Sequence, residues 1–301
     1  MLTLESERTW LRTSSRLMGC TVELMIDGAP ALVPRAFARL RELERVWTRF
    51  VPTSELNELH RRAGTWTPVS DDLFRALSWC NRLATETGGL FDPTIRAALE
   101  SWGYDRTFAD IDRTTAAPSS SQPSPGTGTI ELDRRGRRVR LAEGSSVDLG
   151  GIGKGLGADI IAGELVAAGA RGVYACLGGD IHVAGESPED GWPVPLLHPV
   201  TGEAFAHHQL SEGGLVMSTV AFRRWTRAGV DAHHLIDPRS GAPASTDLLA
   251  VAVAARSSAR AEAIAKAAIV AGSVEGRDLL ERCDVTAWMV IEHEIITLGV
   301  R

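Results

Sequence analysis

Between Val147 and Gly155 the chain reads Val-Asp-Leu-Gly-Gly-Ile-Gly-Lys-Gly, placing four glycines in six positions. No other stretch limits the possible folds as tightly. An apolar run ends on Asp148 and a helical pattern begins after Lys154, so the glycines lie where an extended segment turns into a helix. Glycine lets backbone approach a neighbour closely and take up φ > 0. A helix that starts there aims free N–H groups and its positive dipole end at whatever fills the gap. Lys154 adds a mobile charge, and the combination favours a phosphate or pyrophosphate. The spacing is not a standard nucleotide loop: Gly155 stands where a P-loop needs Ser or Thr, and Gly151-x-Gly153 lacks the third glycine of the dinucleotide fingerprint. Read alone, the run is either an anion site or a tight turn into a helix.

With 301 residues and 44% hydrophobic content, the chain can bury a large core, as one big domain or two modest ones. A net charge of −6 argues against a nucleic-acid or anionic-membrane surface. Cys20, Cys80, Cys176 and Cys283 are far apart and read as reduced, mostly buried thiols. Residues 1–10 carry two acidic groups and no long apolar core, so no signal peptide is expected. No apolar run approaches the ~20 residues that span a bilayer. The expectation is a soluble, cytoplasmic protein.

Apolar spacing predicts a strand at 21–26 and helices at 34–50 and 71–87, the second capped by Ser70 and stopped by Gly88-Gly89. The arginines at 134, 135, 137 and 138 surround Gly136 in a hairpin turn between 130–132 and 139–141. Residues 116–128 are rich in Ser, Pro, Gly and Thr, and read as a flexible surface excursion. Strands are expected at 173–177, 194–197, 204–210 and 248–254, helices at 155–168, 259–271 and 275–283, and a last hairpin at 287–291 and 295–298. Strands and helices do not alternate strictly, which favours an α+β fold with mixed sheets flanked by helices.

Four further features carry chemistry. Gly89-Leu-Phe91-Asp92-Pro93-Thr94 is either a helix-exit turn or a loop whose Asp92 and Thr94 hydrogen-bond a ligand. Gly178-Gly179-Asp180 closes an apolar run as either a plain turn or a ligand-facing rim. In His233-His234-Leu-Ile-Asp237-Pro238-Arg-Ser-Gly241 the turn residues explain themselves, leaving two adjacent histidines, one of which could serve as general base. Glu262 and Lys266 stand at i and i+4 among alanines, either as an exposed ion pair or as a charged pair turned into a site.

In this order, the pieces resemble the ApbE-type FAD:protein FMN transferases. The likeness runs from Met18-Gly19-Cys20 through Ser54-Glu55-Leu56, Gly89 to Thr94, Asp148 to Gly155, Gly178-Gly179-Asp180 and His234 to Gly241, ending at Ala261-Glu262-Ala263. The resemblance implies a single domain over residues 1–301 with FAD in a central cleft. It implies a reaction in which a Ser or Thr hydroxyl of an acceptor flavoprotein attacks the FMN-side phosphorus, leaving a phosphodiester-linked FMN and releasing AMP. It implies cofactor contacts from Met18, Asp92, Thr94, Asp148, Gly151, Lys154, Gly179, Asp180, His234 and Asp237. It makes His234 the base and Lys154 a source of positive charge, and Glu262 and Lys266 are expected to act beside them. It also implies magnesium held by the Gly153 carbonyl and by an Asp and a Thr on the last helix. Here Glu262 replaces that Asp and Lys266 that Thr. Glu can still ligate magnesium, but an ammonium cannot, so Lys266 is expected to replace part of the ion's role. Three other positions depart: Cys20 for Thr, His60 for Asn, and Met217-Ser218-Thr219-Val220 without the usual glycine. The partner implied is an FMN-binding acceptor with a target Ser or Thr. The alternatives are an FAD carrier or FAD pyrophosphatase without transfer, and a non-enzymatic module of a redox membrane complex.

Overall fold

A computed structural model describes residues 10–299. Of the stretch read as lacking a signal peptide, only Trp10 falls within them. The chain opens with an antiparallel hairpin, β1 (Leu11–Leu17) and β2 (Cys20–Asp27). Helices α1 (Leu32–Trp47) and α2 (Glu55–Arg61), the short strand β3 (Thr67–Pro68) and α3 (Asp71–Glu86) follow. A 3-10 turn over Pro93–Ile95 leads into α4 (Arg96–Ser101). Strands β4 (Ile130–Asp133) and β5 (Arg138–Leu141) form the arginine-turn hairpin, and β3 pairs with β5.

Helix α5 (Gly153–Ala167) precedes β6 (Gly172–Leu177), β7 (Asp180–Gly185), β8 (Trp192–Leu197), β9 (Ala204–Leu210) and β10 (Gly213–Thr219). Four short strands come next: β11 (Arg224–Arg227), β12 (Val230–His233), β13 (Ile236–Asp237) and β14 (Ala242–Pro243). The chain ends with β15 (Leu248–Ala255), α6 (Ser258–Arg282), β16 (Thr286–Ile291) and β17 (Ile295–Leu298). The result is an α+β architecture. Its main sheet has the order β1-β2-β6-β7-β10-β15-β16-β17, and every neighbouring pair is antiparallel.

Helices α5 and α6 lie on one face of that sheet, with α1 packed on α5. The β8–β9 hairpin shares an apolar cluster with β7, β10 and β15, where Trp192, Val194 and Leu196 meet Val183, Leu215 and Ala252. This explains why β15 is a continuous apolar run rather than an alternating one. Helix α6 buries alanines at 259, 261, 263, 265, 267 and 268, so its backbone sits close to its neighbours. Its larger anchors, Ile264 and Ile269, are fully buried, and truncating either to Ala would cost ~2–5 kcal/mol.

Several boundaries differ from the sequence reading for local reasons. Helix α1 begins at Leu32, before Pro34, because proline is tolerated in a first helical turn. The two helices expected at 259–271 and 275–283 run on as one element kinked at Gly272, whose φ of 81° no helix accommodates. The excursion at 116–128 has no helix or strand before a 3-10 turn at Thr127–Thr129, as its composition dictates. It is nonetheless pinned: Ser124 N–H donates to the Pro238 carbonyl (2.8 Å), Gly126 N–H to Thr94 Oγ1 (3.0 Å), and Trp102 Nε1 to Ser121 Oγ (3.1 Å).

Candidate active site

Two tight turns and two helices converge at one end of the main sheet. Met18-Gly19 and Gly178-Gly179 are the loops of hairpins β1–β2 and β6–β7, and all four residues have positive φ (53°, 68°, 60° and 95°). This is the backbone of a two-residue hairpin turn that follows strand twist. Met18 carries the strain of a side chain in that region, and its N–H is held by Glu44 Oε1 at 2.8 Å.

The glycine run opens α5 beside these turns. Its glycines are absent from the positive-φ residues, so their use here is close approach. A Cβ on Gly155 would lie 2.5 Å from the Ser258 carbonyl oxygen, and one on Gly151 2.7 Å from the Phe91 ring. Gly155 thereby lets the start of α5 cross the start of α6. No side chain of the Ile152 cap closes α5. Glu262, on α6 and fully buried, takes that role, accepting the Gly155 N–H at Oε2 (2.9 Å).

Around Glu262 the charges form a closed set. Lys266 Nζ donates to Glu262 Oε1 (2.6 Å) and to the Gly151 carbonyl (3.1 Å). Lys154 Nζ lies 3.2 Å from Glu262 Oε1 and pairs directly with Asp180, whose side chain is 2% exposed. Burial would raise Glu262, but Lys154 and Lys266 outweigh it and hold the carboxylate down at about 2. Burial followed by the Glu262 charge pushes Asp180 up to about 7, against the pull of Lys154. Burial opposes the Lys154 charge too, yet Asp180 and Glu262 raise its pKa above the ordinary lysine range. For Lys266 burial prevails and the pKa falls, with Glu262 resisting.

This cluster floors one end of a cavity of about 710 Å³, within the range of small-molecule sites. Met18, Asp92, Asp148, Gly151, Gly153, Lys154, His234 and Lys266 all line it. The other expected site residues do not. Asp180 and Glu262 sit behind the lysines, and Gly179 shapes its turn. Thr94 donates its hydroxyl to Asp92 Oδ1 (2.7 Å) and accepts from Gly126. Asp237 is engaged by the guanidinium and N–H of Arg239. Among the lining groups, Asp92 is buried, which raises its pKa, and its Oδ1 also takes the Thr94 N–H.

His234 lines the cavity with a buried Nδ1 that has no hydrogen-bond partner. Burial, followed by Arg223 and Lys266, holds its pKa well below the usual histidine range, so the ring is neutral. Neighbouring His233 is structural, its Nε2 3.1 Å from the Ala244 carbonyl. His60 supports the loop from outside: Nε2 accepts the Val147 N–H (3.0 Å), and burial followed by Arg96 lowers its pKa to about 3.

Sequence reasoning missed the residues opposite. Arg49, 8% exposed, forms an ion pair with Asp148 and donates to the Tyr104 carbonyl (2.6 Å). Asp148, expected to hold ligand, is therefore already engaged. The Arg49 guanidinium lies over the rings of Phe50 (4.3 Å) and Tyr104 (4.9 Å). These aromatics, with Phe108 and Arg223, line the rest of the cavity. Arg223 has a φ of 48°, a strained value for a bulky residue. Only the Thr-Arg-Phe sequence straight after α1 hinted at Arg49.

A divalent ion does not fit this donor set. No group of three or more His, Cys, Asp or Glu among the described residues could hold a metal. Glu262 already accepts from the Lys266 ammonium and a backbone N–H, and pairs with the Lys154 ammonium at 3.2 Å. A divalent ion about 4 Å from one ammonium would meet a repulsion of roughly 8 kcal/mol at an effective dielectric of about 20.

The ApbE family profile matches residues 18–289. A protein of Rhodobacter capsulatus named FAD:protein FMN transferase is 28% identical over 92% of this chain, which spans only 54% of that relative's length. Proteins of the same name from Haemophilus influenzae (24%; 96% of this chain, 89% of the relative) and Treponema pallidum (30%; 80% and 72%) also match. The crystal structure of the ApbE protein of Thermotoga maritima superposes with a TM-score of 0.87 at 20% identity, covering 96% of this chain and 97% of that one. Apo flavinyl transferase ApbE of Pseudomonas stutzeri gives 0.79 at 22%, covering 96% and 94%. The fold is theirs, and the chain belongs to the ApbE family.

Proposed function

We propose that this chain is an FAD:protein FMN transferase, binding FAD in the 710 Å³ cavity and passing its FMN part to a Ser or Thr of an acceptor flavoprotein. One observation carries the reading: Lys154, at the N-terminus of α5, and His234, whose buried Nδ1 has no hydrogen-bond partner, line the same cavity. The lysine and the helix start attract a pyrophosphate and stabilise charge that grows on it. The apolar wall of Leu90, Phe91, Ile95 and Tyr104 suits a flat ring system.

The acceptor hydroxyl gives its proton to His234 as its oxygen bonds to the FMN-side phosphorus. The bond from that phosphorus to the bridging oxygen breaks, and AMP leaves. A neutral imidazole is the form that can take the proton. Asp180 and Glu262 hold Lys154 in place, Arg49 holds Asp148, and Asp92 is free to accept from a ligand hydroxyl at its second oxygen. Positive charge at the pyrophosphate comes from this chain's own side chains, because the donor set does not suit magnesium.

The reading takes residues 1–301 as one catalytic domain, supported by a sheet that runs from β1 to β17. It places the reaction in the cytoplasm, supported by four free cysteines and by the absence, among the described residues, of a helix long and apolar enough to cross a membrane. The partner is an FMN-binding protein with a target Ser or Thr. Incubation with FAD and such an acceptor domain tests the reading. Acceptor mass should rise by one FMN as AMP appears. Free FMN and AMP without labelling would make the chain a pyrophosphatase, and bound but intact FAD would make it a carrier.

A further inference from the structure

The chain contains thirty arginines and only two lysines, Lys154 and Lys266. Both lysines reach the same buried carboxylate, Glu262, and both line the cavity. Everywhere else this sequence uses guanidinium for positive charge. An ammonium differs in being a compact point charge with three donors on a flexible stem, and it fits where a planar fork does not. Lys266 uses two donors on Glu262 Oε1 and the Gly151 carbonyl, which leaves one for a ligand in the cavity. A carboxylate and a backbone carbonyl of a glycine loop are oxygen ligands that a hard cation would seek. Here the ammonium holds both.

Resting on the transferase reading, we infer that Lys266 is the resident cation of this site: it contacts the FAD pyrophosphate directly, and the chain binds FAD without a divalent metal. The side chain is suited to the task. It is 14% exposed, so its charge is little screened by solvent. It is fixed at both oxygens before any ligand arrives, so little ordering is needed on binding. Glu262 keeps it in place and also caps α5, tying the cation to the helix start that faces the same anion. A tethered single charge replaces an exchangeable double one, and Lys154 supplies the second positive charge 3.2 Å from the shared carboxylate.

Titration of the full chain with FAD, followed by flavin fluorescence, tests this in EDTA and in magnesium. For the unaltered chain the two dissociation constants should agree within about twofold. Manganese titration read by electron paramagnetic resonance should find no stoichiometric site, with or without FAD. Lys266→Thr should weaken FAD binding in EDTA by about 10- to 100-fold, the range of a lost charge-assisted hydrogen bond, regain affinity with magnesium, and acquire a manganese site. Tight manganese binding by the unaltered chain, or FAD binding that appears only with magnesium, overturns the inference and leaves the transferase reading standing. No FAD binding in either buffer overturns the transferase reading itself. A Lys266→Thr chain with unchanged FAD affinity and no response to magnesium also sinks the inference. Should that variant fail to fold, the two experiments on the unaltered chain decide alone.

Discussion

The inner end and the mouth of the cavity are built by different means. At the inner end, two glycine turns, a helix start and an alanine-lined helix bring backbone within van der Waals limits, and each buried charge has a partner there. At the mouth, loop side chains do the work: Phe50 is 40% exposed and Val51 45%, with the Arg49 guanidinium over the rings of both Phe50 and Tyr104. The inner end leaves no freedom in where a charge sits, which is what transition-state stabilisation needs. The mouth can adapt to a large ligand and an arriving partner. Mutations at the two ends therefore test how much each contributes to FAD affinity and to rate.

The sharpest break in that comparison is His234→Ala. It should cut transfer by about 10²- to 10⁴-fold, the usual worth of a positioned base, while FAD affinity stays within a few-fold. Should affinity collapse in step with rate, His234 would belong to the binding half. Lys154→Met comes next. It leaves Asp180 beside Glu262 without the ammonium between them, and denaturant unfolding should show a loss of about 3–5 kcal/mol. A loss under about 1 kcal/mol, the scale of an exposed pair, would mean that the cluster does not hold this end together. At the mouth, Phe50→Ala should weaken FAD binding by at most roughly tenfold and leave the maximal rate unchanged. A fall in maximal rate with constant affinity would move the boundary between the two regions outward.

Legibility in the sequence follows the same division. The inner end is encoded by neighbours: the glycine run, the Gly-Gly-Asp turn and the i, i+4 pair of Glu262 and Lys266 each sit within one short window. The alanines around that pair were the signal that it is buried, since small side chains let a helix pack closely. Arg49, Arg223 and Tyr104 were not legible, because they converge from three loops far apart in sequence. Thr94 and Asp237 show the opposite failure. Both sit in strong motifs, yet their side chains are used within the turns that present the site. A motif gives position, but only packing decides which atoms remain free. The main sheet was less legible than the helices. Strand order depends on pairings such as β7 with β10, separated by the β8–β9 hairpin that covers the sheet.

An effect no larger than that of Phe50→Ala tests whether the inner end is a fixed electrostatic unit. Asp180 faces Lys154 from α5, Glu262 and Lys266 from α6, and the thiols of Cys20 and Cys176. Burial raises both thiols, Cys176 to about 11, so neither charges near neutrality. Asp180 itself is pushed up to about 7. Below that pH it is neutral, and the two ammonium groups are opposed only by Glu262. An anionic pyrophosphate then meets a net positive cluster, which turns neutral as pH rises through 7. FAD affinity should fall over that step by at most roughly tenfold, the change expected if bound FAD strengthens proton binding at Asp180 by the same factor. Asp180→Asn should flatten the step. Folding stability has the same sign: a carboxyl with a raised folded pKa contributes fully below its ordinary value near 4, and the contribution is lost as pH climbs to about 7. Glu262, held at about 2, works the other way, its contribution present above its ordinary value near 4.5 and lost as pH falls to 2. The two carboxylates thus act in separate pH windows. An Asp180→Asn chain that keeps the neutral-pH step in FAD affinity would show that the charge controlling binding lies at the mouth.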